Sequence, residues 1–225
     1  MFKTETHLHT SPVSRCGRFS PEEMIRRYAK EGYTTVFVSD HFAPYHFDGM
    51  GDKTWEEKVD MLCDAYVKAA EEGKKLNMNV LFSPELSLCG NHYLLYGIDR
   101  EFMKEHDEFF SLTLKEMYDL VKGHGGYVVQ AHPYRDGKCY PTPDFADGFE
   151  VINLNPRHEN FDELCFELAK STGKPCTAGS DAHREEDIGL AAMLSEEPIV
   201  SWEQYIGLLF DGKLKLFGNG EVVTV

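Results

Sequence analysis

The feature that most constrains the fold of this chain is a pair of short motifs near its two ends. His7 and His9 lie one residue apart near the start, and Asp181 and His183 repeat that spacing near the end. Residues two apart on an extended strand point to the same side, so each pair can aim both side chains at one point. In a closed barrel the first and last strands are neighbours, and the two pairs would then meet at one centre.

Further side chains of the same kind occur between the two pairs. Asp40 and His41 follow a β-branched run, Glu85 and His132 each follow a short run that ends in Pro or Ala, and His92 opens another apolar run. Imidazole and carboxylate groups together are the ligands that Zn, Mn and Fe accept. Ligand types at the ends of many short strands predict a hydrolase built round a metal cluster.

Short apolar segments alternate with helical ones along the chain. Ser20 followed by Pro21 and two acids predicts a helix start, and residues 52–75 predict a long amphipathic helix. This alternation is typical of a parallel sheet with helical crossovers. About seven strands with ligands at their carboxyl ends favour a closed β/α barrel over an open sheet. We expect a single domain over residues 1–225, closed by a glycine-rich hairpin over 213–225.

Composition limits the classes of partner and compartment. The 225 residues include 23 basic and 38 acidic side chains, for a formal net charge of -15, and no basic run is present. We therefore expect no nucleic-acid partner. No segment approaches the roughly 18 apolar residues of a membrane span. The six cysteines show no CxxC spacing, which indicates reduced thiols, so we expect a cytoplasmic protein with no membrane partner. The oligomeric state is left open.

The order of these motifs resembles the polymerase and histidinol phosphatase (PHP) superfamily of metal-dependent phosphoesterases. The resemblance covers most of the chain, from residue 7 to about residue 189. Each motif alone is weak, whereas their combination in this order is specific. The residues that carry it are His7-Leu8-His9-Thr10, Ser39-Asp40-His41, Glu85, His92, Ala131-His132-Pro133 and Gly179-Ser180-Asp181-Ala182-His183.

The resemblance implies a distorted (β/α)7 barrel with two or three divalent ions, Zn, Mn or Fe. It also implies hydrolysis of a phosphate ester, most simply a small phosphorylated metabolite, by a metal-activated hydroxide. In the implied ligand sets, His7, His9, Glu85 and Asp181 hold the first ion, Glu85 bridges to a second ion completed by His92 and His132, and a third ion uses His41 and His183.

The sequence departs from the family pattern at one ligand of the third ion. Where the family places an Asp or His shortly after the second histidine, this chain has Ser14 and Arg15, followed by Cys16. An arginine is charged at any working pH and offers no lone pair to a metal. We therefore hypothesise that Arg15 faces the cluster and binds the substrate phosphate. The alternative is that Arg15 lies on the surface and Cys16 completes a third site, so dinuclear and trinuclear centres both stay open.

Other residues are candidates for substrate binding and catalysis. Arginine binds phosphate bidentately, and four arginines lie near ligand motifs or strand ends. Two residues beside the ligands, Asp40 and His183, are candidate proton relays. An amidohydrolase-type metal hydrolase and a non-catalytic metal-binding regulatory domain are the alternative functions. The candidate substrate-binding residues are Arg15, Arg135, Arg157 and Arg184.

Overall fold

Strands and helices alternate along the chain, as the apolar pattern predicts. The computed structural model describes residues 1–223, so the last two residues of the predicted hairpin lie outside the described residues. The strands are β1 (Phe2–Leu8), β2 (Tyr33–Val38), β3 (His41–Phe42), β4 (Asn79–Phe82), β5 (Glu85–Leu88), β6 (Asn91–Tyr96), β7 (Tyr127–Ala131), β8 (Gly148–Asn153), β9 (Cys176–Gly179), β10 (Ala191–Ser195), β11 (Lys215–Gly218) and β12 (Glu221–Val223). The α-helices are α1 (Pro21–Lys30), α2 (Pro44–Asp48), α3 (Trp55–Lys75), α4 (Arg100–Lys104), α5 (Leu114–Gly123), α6 (Asp162–Thr172) and α7 (Trp202–Phe210).

Local sequence explains where the main helices begin. Ser20 caps α1 and forms a reciprocal capping box with Glu23, as its sequence predicts. Thr54 caps α3 in the same way with Glu57, so this helix starts slightly later than the apolar pattern indicates. The apolar faces of the helices pack on the strands in three buried clusters. None of the helices within residues 1–223 combines the length and apolar character needed to cross a bilayer.

The strands form two six-stranded mixed sheets. Their orders are β12-β11-β10-β1-β2-β4 and β3-β5-β6-β7-β8-β9. The predicted α/β class is confirmed, but the expected parallel sheet is wrong, because β6 runs antiparallel to both β5 and β7 and β10 runs antiparallel to β1. β5 and β6 are antiparallel because the two-residue turn Cys89-Gly90, which has a positive φ at both positions, connects them as a hairpin.

A closed barrel is not seen among the described residues, where hydrogen-bonded strands form two sheets and no single closed one. The two sheets nevertheless meet at the two terminal motifs. His9 donates its backbone N–H to the carbonyl of Ala182 at 2.9 Å, and Ala182 donates to the carbonyl of His7 at 3.2 Å. The first motif and the last motif are therefore neighbours, as the spacing predicts.

A buried carboxylate holds this junction together. Glu5 lies in β1 with no exposed surface and accepts hydrogen bonds from the backbone N–H groups of Thr6, His7 and Ser180. Its other oxygen accepts from the Tyr28 hydroxyl at 2.8 Å. Burial raises the pKa of Glu5 to about 7, although these hydrogen bonds act in the opposite direction. Glu5 thus links β1 to the segment after β9 from inside the fold.

Replacing Tyr28 with Phe should destabilise this junction. The change removes the hydroxyl and leaves one buried oxygen of Glu5 without its donor. We expect the free energy of unfolding to fall by about 1–3 kcal/mol, measured by urea titration followed by circular dichroism. As a control, Tyr140→Phe removes an exposed hydrogen bond and should cost less than about 0.5 kcal/mol. Equal stability of Tyr28→Phe and the unaltered protein would contradict the role given to Glu5.

Candidate metal centre

All the predicted metal ligands lie in one cluster, in which every side chain except that of His92 is buried. Glu85 is at its centre, because its two oxygens lie 2.6–3.7 Å from ring nitrogens of five histidines. Asp181 lies beside it, with Oδ1 at 3.1 Å from the Nε2 of His9 and 3.5 Å from the Nε2 of His7. The full set is His7, His9, His41, Glu85, His92, His132, Asp181 and His183.

Strand register and local backbone bring these side chains together. Glu85 pairs with His41 across β3 and β5, and His92 pairs with Ala131, which directly precedes His132. His132 and Asp181 each follow a strand with a positive φ, 31° and 49° respectively. Non-glycine residues rarely adopt this region, and such conformations concentrate at functional sites. Both residues therefore turn sharply at a strand end and point back into the cluster.

Several ligand atoms are buried without a hydrogen-bond partner among residues 1–223. They are His7 Nε2, His9 Nε2, His41 Nδ1 and Glu85 Oε2. A buried polar atom left without a partner costs free energy of about 1–3 kcal/mol. These atoms lie in two adjoining groups, His7-His9-Glu85 and His41-Glu85-His92, and cations held by the two groups would satisfy them. The donor set of imidazole and carboxylate suits Zn, Mn or Fe, so the residues fit the metals that the motifs imply.

The Nδ1 atoms of His7 and His9 contact polar side chains on the side of each ring away from the cluster. His7 Nδ1 lies 2.9 Å from the Oε1 of Glu150, and His9 Nδ1 lies 3.3 Å from the hydroxyl of Ser14. When Nδ1 donates to such a partner, Nε2 keeps its lone pair free for a metal. The partners therefore set which nitrogen each ring presents to the centre.

Sequence reasoning missed Glu150. This carboxylate lies in β8, is fully buried, and also accepts from the backbone N–H of His132 at 3.1 Å and from Asn153 at 2.8 Å. The available signal was a single acid within an apolar strand, Gly-Phe-Glu-Val-Ile. Glu150 thus orients two of the ligand segments while making no contact with the cluster's open side.

Electrostatics keep the two carboxylate ligands in the anionic form that a metal requires. Burial alone would raise the pKa of Glu85, but the positive charges of His92, His41 and His7 outweigh it and hold that pKa well below its usual range. Burial likewise opposes ionisation of Asp181, and Arg135 and His7 overcome it. Both carboxylates are therefore anionic at neutral pH.

The imidazoles fall into two groups, because the carboxylates around His7 and His41 outweigh burial and raise the pKa of both rings, whereas the pKa values of His9 and His132 are lowered. Burial lowers the pKa of His9 well below its usual value, and the nearby His41 and His183 lower it further. Burial and the charge of Arg135 do the same for His132. Neutral imidazole is the form that binds a metal, so these two rings are ready to act as ligands.

Comparison with known proteins supports the resemblance seen in the motifs. The sequence model of the PHP-associated family, PHP_C, matches residues 163–209. No curated protein matches the chain. A two-domain protein from Bacteroides vulgatus, which contains a predicted PHP-like metal-dependent phosphoesterase, superposes with a TM-score of 0.73 at 12% sequence identity. The superposition covers 99% of this chain and 66% of the Bacteroides chain.

The chain has a PHP-like fold. The family match over residues 163–209 and the shared fold of the structural neighbours agree with the predicted resemblance to the PHP superfamily. A protein from Bifidobacterium adolescentis, assigned as a metal-dependent phosphoesterase, has a TM-score of 0.58 at 16% identity over 92% of this chain and 95% of its own. An amidohydrolase from Chromobacterium violaceum with bound sulfate and no metal has a TM-score of 0.57 at 17% identity, over 94% and 96% of the two chains.

Asp40, a predicted proton relay, lies behind the PHP-like ligand cluster. Its oxygens accept hydrogen bonds from the backbone N–H and hydroxyl of Thr10, at 2.6 and 2.5 Å, and from the hydroxyl of Ser14 at 2.7 Å. Ser14 in turn holds His9 and accepts the backbone N–H of His41 at 3.0 Å. This geometry favours a positioning role for Asp40 over the predicted proton relay.

The hypothesis that Arg15 faces the cluster is wrong. Arg15 is exposed and donates to the carbonyl of Gly49, whereas Cys16, which is also exposed, places its Sγ 3.2 Å from the Nε2 of His41. Burial would raise the pKa of the Cys16 thiol, but hydrogen bonds with His183, His41 and His46 outweigh it and hold that pKa at about 4. The structure therefore follows the alternative, with Arg15 on the surface and Cys16 beside the third-ion ligands.

The other arginines differ in their availability. Arg135 lies in the cluster, where it donates to Asp181 and to the side chain of Asn153 at 2.8 Å. Arg157 makes a bidentate ion pair with Asp187 at 2.7 Å on both sides, so its fork is taken and the expected phosphate contact is not supported. Arg184 is partly exposed beside His183, and its substrate contact stays a prediction.

Glu150→Gln should weaken metal binding without removing a ligand. The amide cannot hold His7 and His132 as the carboxylate does, because one oxygen becomes an NH2 donor. We expect about 10- to 100-fold weaker metal affinity, measured by competition with a chelating dye. The exposed Glu203→Gln serves as the control and should bind metal like the unaltered protein. Unchanged affinity in Glu150→Gln would show that Glu150 does not set the ligand geometry.

Proposed function

We propose that the protein is a metal-dependent hydrolase of phosphate esters, with the phosphomonoester of a small metabolite as its substrate. The observation that carries this proposal is the cluster of buried ligand atoms without hydrogen-bond partners around Glu85. Neighbours described as metal-dependent phosphoesterases support the same reading of the fold. Divalent ions in such a centre supply a nucleophile from water at neutral pH and neutralise charge on the phosphate.

The residues of this chain divide the remaining tasks. Glu85 lies between the two halves of the cluster and is the natural shared ligand, while Asp181 anchors the half that contains His7 and His9. His183 donates its Nδ1–H to the carbonyl of Asp181 at 2.8 Å, so the proton that it holds or passes at the edge of the cluster is on Nε2, beside the thiol of Cys16. In this proposal His183 acts on the leaving group unless it is engaged as a ligand.

Substrate reaches the cluster from the side of His92. This ring is the most exposed of the ligand side chains, at 25%, whereas His7, His9 and His132 are fully buried. Tyr45, which is 55% exposed, lies beside His41 on the same side, with a ring separation of 6.3 Å. We infer that the phosphate enters past His92 and Tyr45, with its organic part directed outwards.

A metal-dependent amidohydrolase is the second candidate, because one structural neighbour carries that name. The two activities share the metals and differ in the group that is cleaved. A phosphate needs cations around its oxygens. Arg184 beside His183 is partly exposed and supplies one, whereas Arg135 is already paired with Asp181. Arg184 therefore favours the ester of phosphate as the substrate.

The proposal predicts at least two divalent ions per chain and hydrolysis of phosphate esters. Elemental analysis after gentle purification and after reconstitution with Mn, Zn or Fe measures the first. A panel of phosphomonoesters, phosphodiesters and amides measures the second, before and after removal of metal with a chelator. Hydrolysis of amides alone would favour the amidohydrolase, and tight metal binding without any hydrolysis would favour a regulatory domain.

Two conservative variants test the placement of the centre. Glu85→Gln and Asp181→Asn each remove an anionic ligand and should lower phosphatase activity more than about 100-fold, with loss of metal and little change in circular dichroism. Asp119→Asn alters an exposed carboxylate that pairs with Lys115 and should leave activity unchanged. Activity within tenfold of the unaltered protein in both ligand variants would show that the centre lies elsewhere.

A further inference from the structure

The ligand cluster opens to solvent at the group formed by His41, Glu85 and His92. The side chain of His92 is 25% exposed, whereas Glu85 is almost completely buried between the histidines. The rings of His41 and His92 have centroids 6.5 Å apart and are inclined by 63° to each other. A phosphate that reaches the centre from solvent therefore meets this group first, and the side chains around the group decide how its oxygens are held.

Tyr45 stands at this opening. It lies in α2, and its ring centroid is 6.3 Å from that of His41 and 4.4 Å from that of His46. Tyr45 is 55% exposed as a whole, yet burial of its hydroxyl raises its pKa, against the charge of His41 and the hydroxyl of Ser87, which lower it. The hydroxyl therefore points inwards to the ligand group while the ring faces solvent, and the phenol keeps its proton at neutral pH.

Ser87 connects this hydroxyl with the ligand His92. It lies in β5 two residues after Glu85, so the two side chains face the same side of the strand. Ser87 is paired with His92 across β5 and β6, and its Oγ is 3.3 Å from the Nδ1 of that ring. The hydroxyls of Tyr45 and Ser87 therefore form the outer edge of the opening, one step beyond Glu85 along the strand.

The backbone that carries Tyr45 is anchored in the core. Phe47 follows it by two residues, is buried, and packs on the rings of Phe42 and Trp55 at centroid separations of 5.4 and 5.2 Å. The carbonyl of Ala43 accepts the backbone N–H of Phe47 at 3.0 Å and so closes the turn around Tyr45. A donor on fixed backbone needs no reorganisation when charge develops beside it.

We propose that Tyr45 is a catalytic residue, whose hydroxyl donates a hydrogen bond to a non-bridging oxygen of the substrate phosphate at the group of His41, Glu85 and His92. A phenol donates such a bond without giving up its proton, so no covalent bond forms or breaks at Tyr45. The bond stabilises the negative charge on the phosphate oxygens in the transition state. The inference rests on the proposed function and adds to it a residue outside the metal-ligand motifs.

Tyr45→Phe tests the inference, because it keeps the ring and removes only the donor. In the metal-loaded protein we expect kcat/KM for the phosphomonoester that is hydrolysed fastest to fall about 10- to 100-fold. Affinity for inorganic phosphate, measured by isothermal titration calorimetry, should fall at least about threefold, while elemental analysis finds the metal content unchanged. Tyr140→Phe is the matched control, because it removes an exposed hydroxyl that binds the carbonyl of Cys89 at the tip of the β5–β6 hairpin, and should change neither quantity.

The outcomes separate this inference from the proposed function. Phosphatase activity and phosphate affinity that are the same in Tyr45→Phe and the unaltered protein would overturn the role of Tyr45 and leave the hydrolase proposal standing. Loss of bound metal in Tyr45→Phe would also overturn it, since the hydroxyl would then act on the ligands and not on the substrate. An unaltered, metal-loaded protein that neither hydrolyses phosphomonoesters nor binds inorganic phosphate would overturn the hydrolase proposal and this inference together.

Discussion

The rest of the structure depends on the electrostatic balance around the buried carboxylate of Glu85. Five imidazoles surround it at 2.6–3.7 Å, and both Glu85 and Asp181 are almost completely excluded from solvent. Burying charges without compensation is costly, and several ligand atoms here lack a hydrogen-bond partner among residues 1–223. Divalent cations are the species that satisfy these atoms together, which links the fold to metal binding.

The fold meets this requirement by bringing the two ends of the chain together. Backbone hydrogen bonds between His9 and Ala182 bring the first and last motifs into contact, and Glu5 fixes the same junction from the interior. Behind the ligands, Glu150 and Asp40 form a second layer that orients His7 and, through Ser14, His9. The orientation of the ligand side chains is therefore set by buried carboxylates that lie outside the ligand cluster.

Much of this centre could be predicted from the sequence, because strand periodicity and strand-end positions are local properties. The His7–His9 and Asp181–His183 spacings each place two ligands on one side, and the helix start at Ser20 follows from capping chemistry. The predicted start of α3 at residue 52 was too early, because Thr54 caps this helix. The antiparallel β5–β6 hairpin was missed, because the expectation of a parallel sheet did not take account of the two-residue turn at Cys89-Gly90.

Long-range contacts account for the other differences. Arg15 and Cys16 are adjacent, and only the path of their loop, held by the hydrogen bond from Ser14 to Asp40, decides which of them contacts the ligand His41. Glu150 gave a weak signal in the sequence, because a single acid within a strand belongs to no recognisable motif.

The most direct test of the metal-centre assignment is anomalous diffraction at the metal absorption edge from crystals of the metal-loaded protein. The account predicts peaks within bonding distance of Glu85 and Asp181, and their absence in crystals of protein shown to contain stoichiometric metal would contradict it.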